Sequence, residues 1–322
     1  MSRPHLEFGV FLPTGWRSEY KPMTDPSEQW RHTMDVAQLA ESLDYDALWV
    51  ADHFHIFPGM DNTNIFESWT TLTALSQRTE RVKLGHMVSC AAFRHPPLVA
   101  KMGATLDVLS GGRFIWGVGA GWQEEEFRAY GYEFRAPKDR IQVLRETVEI
   151  VKLMWHEDDA VYKGQFFELD GARCDPKPLQ KPHPQILIGA WGERYGSRLV
   201  AEHADRCNFP GDDETVATKL ALIRDRCREI RRDESEMMMS WTGDTYLRET
   251  EEEIISDGVR ALRPISMETW RATGLIGTPE QVCERIQGLV DLGVTGFTLS
   301  FFDLPDLQSL ELFATKVIPE FR

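Results

Sequence analysis

The stretch RHPPLVAKMGATLDVLSGGRFIWGVGAGWQEEEF, which runs from Arg94 to Phe127, decides the fold. Apolar residues recur at helical spacing from Leu98 to Leu109 and stop at a Ser-Gly-Gly turn. Residues 113–118 then have the composition of a buried strand, which leads into a glycine-rich turn and an acidic helix start. Glycines between a strand and a helix N-terminus let backbone N–H groups approach an anion. The stretch therefore indicates an α/β protein with a possible phosphate-binding turn.

The glycine run alone does not specify a ligand. It reads G-x-G-x-G rather than the dinucleotide pattern G-x-G-x-x-G, and no acidic residue ends a strand about 20 residues later. A close crossing of a helix and a strand also requires small residues. At this point a ligand loop and close packing are both open explanations for the glycines.

Composition narrows the class of protein. The chain has 322 residues, of which 42% are hydrophobic, and a net charge of −15, which argues against nucleic-acid binding. No apolar run reaches membrane length and no secretory signal is visible, so we expect a cytoplasmic protein without a membrane contact. The five cysteines are scattered without a C-x-x-C pair, so we expect reduced thiols and no metal site.

Short apolar runs alternate with helical patterns along the whole chain. The predicted strands are Phe8–Leu12, Ala47–Ala51, Val82–Val88, Phe114–Val118, Gln185–Gly189, Arg206–Phe209, Met237–Thr242 and Gly296–Phe301. The predicted helices lie at about 30–43, 66–79, 96–109, 139–155, 193–204, 213–231, 279–292 and 307–316. Eight strand–helix units predict a (β/α)8 TIM barrel, and a doubly wound open sheet is the alternative. We expect residues 1–322 to form one domain, with insertions near 160–184, where a hairpin is predicted, and near 244–277.

Barrel enzymes place their chemistry at the carboxyl ends of the strands. His53 follows the second strand, where it suits a proton donor or a hydrogen bond to a ligand, and Asp52 beside it is a candidate for fixing its tautomer. The turn from Gly189 to Glu193 offers a second set of backbone N–H groups for an anion. Tryptophans at four predicted strand ends suggest an aromatic cavity for a flat ring: Trp16, Trp122, Trp191 and Trp241. A flat ring with a phosphate is a flavin-like cofactor.

The chain resembles the bacterial luciferase-like monooxygenase superfamily of (β/α)8 flavin enzymes, and within it the branch of probable coenzyme F420-dependent oxidoreductases. The matching stretches include Leu48–Phe54, Arg94–Pro96, Ala104–Trp122, Ala172–Gln180 and Ile186–Gly189. The matches cover the first two thirds of the chain in family order, and Gly277–Glu280 adds one more near the end.

The resemblance implies site residues. It implies that His53 and Asp52 lie next to the ring and that the end of strand three forms a bulge with a non-proline cis peptide behind it. Two loops, together with the end of strand six, would hold the rest of the cofactor. The implied cofactor-binding residues are Met87, Val88, Ser89, Cys90, Gly119, Ala120, Gly121, Trp122, Gly189, Ala190, Trp191, Gly192, Glu193 and Asn208. Trp16 and Trp241 are the candidates for the substrate pocket.

The resemblance also sets the expected chemistry. It favours F420 as cofactor, with FMN as the alternative, and hydride transfer to or from a small organic substrate. Sugar-phosphate dehydrogenases of the superfamily carry a glutamate where this chain has Trp122, which argues against that substrate. Basic candidates for the F420 tail are Lys101, Lys177, Arg194 and Arg198. The alternatives are an FMN-dependent monooxygenase fed by a separate reductase, and a non-catalytic flavin-binding protein. A flavin or F420 reductase is the candidate protein partner. The resemblance implies a homodimer.

Overall fold

The computed structural model describes residues 5–17, 19–56, 64–189, 192, 195–256 and 265–322. Strands in this part of the chain are β1 (Glu7–Phe11), β2 (Ala47–Val50), β3 (Lys83–His86), β4 (Ser89–Cys90), β5 (Phe114–Gly119), β6 (Ala160–Lys163), β7 (Glu168–Ala172), β8 (Gln185–Gly189), β9 (Arg206–Phe209), β10 (Met238–Leu247), β11 (Leu275–Gly277) and β12 (Gly296–Phe301).

Eight of these strands close into a parallel barrel. The order around it is β1, β2, β3, β5, β8, β9, β10 and β12, and β12 pairs with β1 again to complete the circle. The short strand β4 continues β3 after a bulge and pairs with β5. The predicted TIM barrel is therefore confirmed, and the open sheet is excluded.

Helices surround the barrel. Those described are α1 (Pro26–Ser42), α2 (Ser68–Ser76), α3 (Pro96–Leu109), α4 (Glu124–Ala129), α5 (Pro137–His156), α6 (Gly196–His203), α7 (Asp213–Ile230), α8 (Glu251–Ser256), α9 (Met267–Thr273), α10 (Pro279–Leu292) and α11 (Gln308–Leu312). The sequence signals at the ends of α10 act as expected, because Thr278 and Gln281 form a capping box and Gly293 ends the helix at φ 111°. None of the described helices has the length and apolarity that a membrane span requires.

The barrel interior is filled by side chains rather than open as a pore. Trp49 is buried at its centre, and glycine at positions 9 and 85 makes room for its ring, since a β-carbon at either position would collide with the indole. At the amino-terminal end of the barrel, the Glu7 carboxylate accepts hydrogen bonds from Arg206 at 2.5 and 2.9 Å and from Lys83 at 2.7 Å. Burial alone would raise the pKa of Glu7, but these two cations lower it to about 2.

The seventh barrel strand is longer than predicted. It was expected to end at Thr242, but β10 stays in register with β12 up to the pair Thr245 and Phe301. Trp241 therefore lies in the middle of a strand, where its side chain is fully buried and its indole N–H donates to the Gly211 carbonyl at 3.0 Å. The prediction that Trp241 lines the substrate pocket is wrong, because this side chain belongs to the core between the barrel and its helices.

Two segments depart from the simple strand–helix repeat. The predicted hairpin is present as the antiparallel pair β6 and β7. The Glu146 carboxylate holds its turn by accepting the backbone N–H groups of Gln165, Phe166 and Phe167. In the second segment, α8 and α9 enclose a small separate core around Tyr246 and Trp270. Residues 257–264 of this segment lie outside the described part of the chain.

Candidate active site

An aromatic group lies at the carboxyl ends of the barrel strands, which we call the barrel mouth. Trp16 follows β1, His53 follows β2 and Trp122 follows β5. The imidazole of His53 stacks on the indole of Trp16 with a centroid distance of 4.7 Å and an interplanar angle of 6°. Trp122 contacts the same imidazole edge-on at 6.0 Å, and its side chain is 52% exposed. The structure thus brings together three of the predicted site residues.

A buried carboxylate holds His53 in place. Glu126, in the first turn of α4, is 1% exposed, and its Oε2 lies 2.9 Å from His53 Nδ1. Its Oε1 accepts the backbone N–H of Phe54 at 2.5 Å. A carboxylate accepts hydrogen bonds only, so the arrangement assigns a proton to Nδ1. Nε2 has no hydrogen-bond partner among the residues that the structure describes, and this ring nitrogen is left to hold or release a proton.

The hypothesis that Asp52 fixes the tautomer of His53 is wrong. The Asp52 carboxylate accepts two hydrogen bonds from Arg94, at 2.7 and 2.9 Å, one from Ser68 and one from the backbone N–H of Cys90. Burial alone would raise the pKa of Asp52, but the charge and hydrogen bonds of Arg94 outweigh burial and lower it. Asp52 therefore joins the end of β2 to β4 and to the start of α2, and its geometry is that of a structural anchor.

The end of the third strand has the form that the resemblance implies. The peptide bond between Met87 and Val88 is cis. Both side chains pack, together with Trp16, on the apolar cluster that fills the upper barrel around Trp49. Val88 also lies against two glycines of neighbouring strands, since a β-carbon at Gly119 would come within 2.8 Å of its methyl group and one at Gly189 within 3.2 Å. Val88 and the two glycines form a surface almost free of protruding side chains.

Close packing explains the glycine run without any ligand. A β-carbon at Gly119 would strike Val88, as described above, and one at Gly117 would strike the His86 carbonyl. Gly121 adopts a φ of 74°, and a β-carbon there would lie 2.7 Å from the Cys90 sulfur. The packing alternative therefore accounts for all three glycines, and the run by itself is not evidence for a phosphate.

Two residues at the end of the third barrel strand have side chains that are engaged in contacts within the protein. The Ser89 hydroxyl donates to the Gly117 carbonyl at 2.7 Å and accepts the Trp116 indole N–H at 3.2 Å. Burial raises the pKa of the Cys90 thiol to about 12, so it is an unreactive core group. Of the four residues predicted here, Met87 and Val88 present side chains toward the mouth, whereas Ser89 and Cys90 do not.

The remaining predicted cofactor residues have mixed environments. Ala120 is half-buried against the core. Asn208 on β9 is buried, and its amide donates to the Ser240 hydroxyl at 2.9 Å. Gly192 is exposed, and its carbonyl accepts the N–H of Ser197 in α6 at 3.0 Å. The predictions for Ala190, Trp191 and Glu193 lie outside the described residues.

The candidate cations for a long anionic tail are bonded to the protein. Lys101 donates to the Asp175 carbonyl at 2.5 Å, and Lys177 donates to the carbonyls of Met154 and Glu157. Arg198 pairs with Glu202 at 2.8 Å. Arg194 is not among the described residues. Each of the three described cations therefore already has a partner within the protein.

Sequence reasoning missed three charged residues of the site. Glu126 and Arg94 both lie in the stretch from Arg94 to Phe127, but their partners are 73 and 42 residues away along the chain. Arg17 follows Trp16 directly and contacts Asp244, 227 residues away. The only local signal was the acidic start of α4, which is equally consistent with a favourable charge at a helix N-terminus.

The family model described as luciferase-like monooxygenase matches residues 6–263. The chain is 26% identical over 355 residues to an FMNH(2)-dependent dimethylsulfone monooxygenase of Pseudomonas putida, covering 99% of this chain and 96% of that protein. It is 28% identical over 326 residues to an F420-dependent glucose-6-phosphate dehydrogenase of Microbacterium testaceum, covering 92% and 95%.

A solved structure shows the same fold. The monooxygenase RslO1 from Streptomyces bottropensis superimposes with a TM-score of 0.82 at 24% identity, covering 98% of this chain and all of that one. At this identity the likeness concerns the fold alone. The two curated relatives carry the names of the two cofactors that the sequence suggested.

Proposed function

The chain belongs to the luciferase-like monooxygenase family, and from that premise we propose an oxidoreductase that uses coenzyme F420 to transfer hydride to or from a small organic substrate. The observation that carries the proposal is the His53–Glu126 pair, which holds an imidazole at the barrel mouth with Nδ1 occupied and Nε2 available. A histidine oriented through one nitrogen by a carboxylate, with no partner for the other nitrogen among the described residues, suits a proton donor or acceptor.

The residues present fit a flat ring. Val88, Gly119 and Gly189 form a surface on which added β-carbons would collide, and Trp122 stands beside it with half of its side chain exposed. A planar tricycle needs this kind of site, with an apolar face and few polar groups at its edge. We assign Met87, Val88, Gly119, Ala120, Gly121 and Trp122 to the ring side of the mouth, and Asn208 and Gly192 to its more distant contacts.

A bound flavin-type ring supplies the centre that accepts or donates hydride. The protein positions the reacting groups and manages the proton. Trp16 stacks on His53 and Glu126 holds Nδ1, so the imidazole is fixed in both tilt and tautomer. With Nδ1 protonated, Nε2 can take a proton from a substrate hydroxyl, and the imidazolium so formed can return a proton to a substrate oxygen in the reverse direction. Trp16 and Trp122 cover two sides of the imidazole and limit the access of water to it.

The second candidate is an FMN-dependent monooxygenase with a separate reductase. One observation favours it: the described candidate cations for a polyglutamate tail are bonded to backbone carbonyls or to Glu202. FMN, with its short phosphate chain, needs no such groove. Trp122 stands where related sugar-phosphate dehydrogenases carry a glutamate, so a sugar phosphate is not the proposed substrate of either candidate.

Binding and turnover separate the candidates. Purified protein is titrated with F420 and with FMN, and substrates are then screened by the absorbance of the reduced cofactor. The proposal expects F420 to bind more tightly than FMN. Binding of FMN alone would replace it with the monooxygenase, and binding of neither cofactor would refute both.

A His53→Asn variant distinguishes an enzyme from a non-catalytic flavin-binding protein. We expect unchanged cofactor affinity and a loss of turnover of about 100-fold or more, which is the usual scale of general acid–base catalysis. His5→Asn is the matched control, because His5 is exposed near the opposite end of the barrel. Undiminished turnover in His53→Asn would contradict the assigned role. Light scattering tests the accompanying expectation of a homodimer.

A further inference from the structure

Arg17 is fixed at the barrel mouth on the side away from the glycine surface. Its Nη1 donates to the Ser300 hydroxyl at 2.9 Å and to Asp244 Oδ1 at 3.3 Å. The guanidinium carbon lies 4.9 Å from the ring centre of Trp16 and 5.7 Å from that of Phe11. The side chain is 40% exposed, so the guanidinium is held in place while still facing solvent.

The groups that hold Arg17 point into the barrel and are themselves fixed. Asp244 and Ser300 are register partners on β10 and β12, near the carboxyl ends of these strands. Asp244 is buried, and its second oxygen accepts the indole N–H of Trp270 in α9 at 3.0 Å. The carboxylate cannot move to follow the guanidinium, so Arg17 keeps one orientation over the mouth.

Arg17 retains hydrogen-bonding capacity. A guanidinium carries five N–H donors, and both described side-chain bonds use Nη1. Nε and Nη2 have no partner among the residues described. A group with fixed orientation and unused donors, partly open to solvent, is suited to bind an acceptor atom of a ligand.

The local charge argues against an anion as that ligand. Asp244 already offsets the charge of Arg17, and the half-buried Glu19 carboxylate accepts the backbone N–H of Arg17 at 2.8 Å. The Asp244 carboxylate thus already lies beside the guanidinium, within a chain of net charge −15. A second anion would meet repulsion here, whereas a neutral oxygen with a strong dipole would not.

The neighbouring interior is polar but uncharged. On the same side of the barrel, Asn208 bonds to Ser240, and the Thr242 hydroxyl donates to the Thr298 carbonyl at 3.2 Å. The opposite side presents Met87 and Val88. The mouth therefore has an apolar side suited to a ring, and beside Arg17 a side with polar groups suited to a second molecule.

From this geometry we infer that Arg17 anchors the substrate by hydrogen-bonding a neutral acceptor oxygen, such as that of an amide, ketone, sulfoxide or sulfone. Trp16 contacts both Arg17 and His53, so this oxygen site and the imidazole share one aromatic residue of the mouth. This inference rests on the proposed function, because only an enzyme has a substrate, but binding of the oxygen by Arg17 can be tested without turnover.

The test is calorimetric titration of the protein with four neutral probes, namely benzamide, acetamide, cyclohexanone and dimethyl sulfone, and with benzoate as the charged analogue of benzamide. Titrations are run without cofactor and with whichever of F420 and FMN binds. We expect at least one neutral probe to bind at millimolar concentration, and benzamide to bind more tightly than benzoate. Failure of all four neutral probes, or tighter binding of benzoate, would overturn the inference.

Variants connect the binding to Arg17. Arg17→Met, which keeps the apolar stem, is expected to weaken neutral-probe binding about tenfold or more, and Arg17→Lys by less. Asp244→Asn removes the offsetting charge and is expected to strengthen benzoate binding. Arg128→Gln, a change in an exposed ion pair with Glu124, serves as control and should bind like the wild type. Circular dichroism checks that each variant is folded.

The outcomes distinguish this inference from the proposed function. Unchanged probe binding in Arg17→Met, or loss of cofactor binding in that variant, would show that Arg17 is not the substrate anchor. If the wild type binds neither F420 nor FMN but still binds benzamide through Arg17, the proposed function fails, whereas the inferred binding of a neutral oxygen by Arg17 is supported.

Discussion

Replacement of Glu126 by glutamine tests the assigned state of the imidazole most sharply. The side chain keeps its length, so its carbonyl oxygen can still accept the N–H of Phe54. At Nδ1 of His53 the carboxylate is replaced by an amide that is either acceptor or donor. If the amide N–H faces the imidazole, Nδ1 must accept and the proton moves to Nε2.

The magnitude follows from the type of bond that is lost. A hydrogen bond to a charged group contributes about 1.5–3 kcal/mol, against about 1 kcal/mol for a neutral pair. Because Glu126 is 1% exposed, solvent screens this bond little. A loss of about 2 kcal/mol in the transition state corresponds to roughly a thirtyfold decrease in kcat/KM. The described contacts of Glu126 include neither Arg17 nor the surface formed by Val88, Gly119 and Gly189. The decrease should therefore fall on kcat, and the cofactor affinity should be unchanged.

Two assays check this prediction. Nitrogen-15 NMR of the histidine rings, with His53→Asn to assign the signal, should show a protonated Nδ1 in the wild type and a larger Nε2-protonated fraction in Glu126→Gln. Steady-state kinetics should show the decrease in kcat. Glu125→Gln, an exposed neighbour on the same helix, is the control. An unchanged nitrogen spectrum together with unchanged kcat would refute the role of Glu126.

Two further predictions concern packing and pH. Gly119→Ala should lower the free energy of unfolding, measured by urea denaturation, by about 1–3 kcal/mol, because the new methyl group meets Val88. Adding Val88→Ala should restore part of this free energy. The control Gly288→Ala, where no atom lies within 4 Å of the added β-carbon, should show no loss. The pKa of Glu7 is lowered from 4.5 to about 2, so its stabilising contribution is present above pH 4.5 and is lost as pH falls toward 2. Glu7→Gln should therefore flatten the pH dependence of unfolding in this range, and an unaltered slope would contradict the buried ion pair.

The barrel was predictable because its signals are local. Strands buried on both faces appear as short apolar runs, and the surrounding helices have one apolar face each, so periodicity identified all eight units. The error at the seventh strand has a physical cause. Gly243 and Asp244 have the composition of a turn, but pairing with β12 holds them in the strand, and local sequence does not record that pairing.

The site was predictable only in part, because its interactions connect distant segments. Trp16, His53 and Trp122 were identified as residues at strand ends, which the barrel necessarily brings together. The partner of His53 was not identified, because two acidic residues compete for that assignment and only the fold decides between them. Asp52 is adjacent in sequence, yet it faces Arg94, while Glu126 reaches the imidazole from α4. Asp244 likewise reaches Arg17 from the far end of the chain.

The glycine turn shows how one pattern can have two causes. Its small residues suggested a phosphate loop, and the structure shows that packing against Val88 and Cys90 already requires Gly119 and Gly121. The proposed ring site therefore depends less on the glycines as anion-binding groups than on the bare surface that they leave beside Val88.

The central claim is that the barrel mouth binds a flavin-type ring beside Val88, with its edge next to His53. A crystal structure of the protein with F420 or FMN bound tests it most directly. The account predicts the ring plane against Val88, Gly119 and Gly189, with a polar edge atom within hydrogen-bond distance of His53 Nε2. A ring bound elsewhere, or a mouth that admits neither cofactor, would contradict the account.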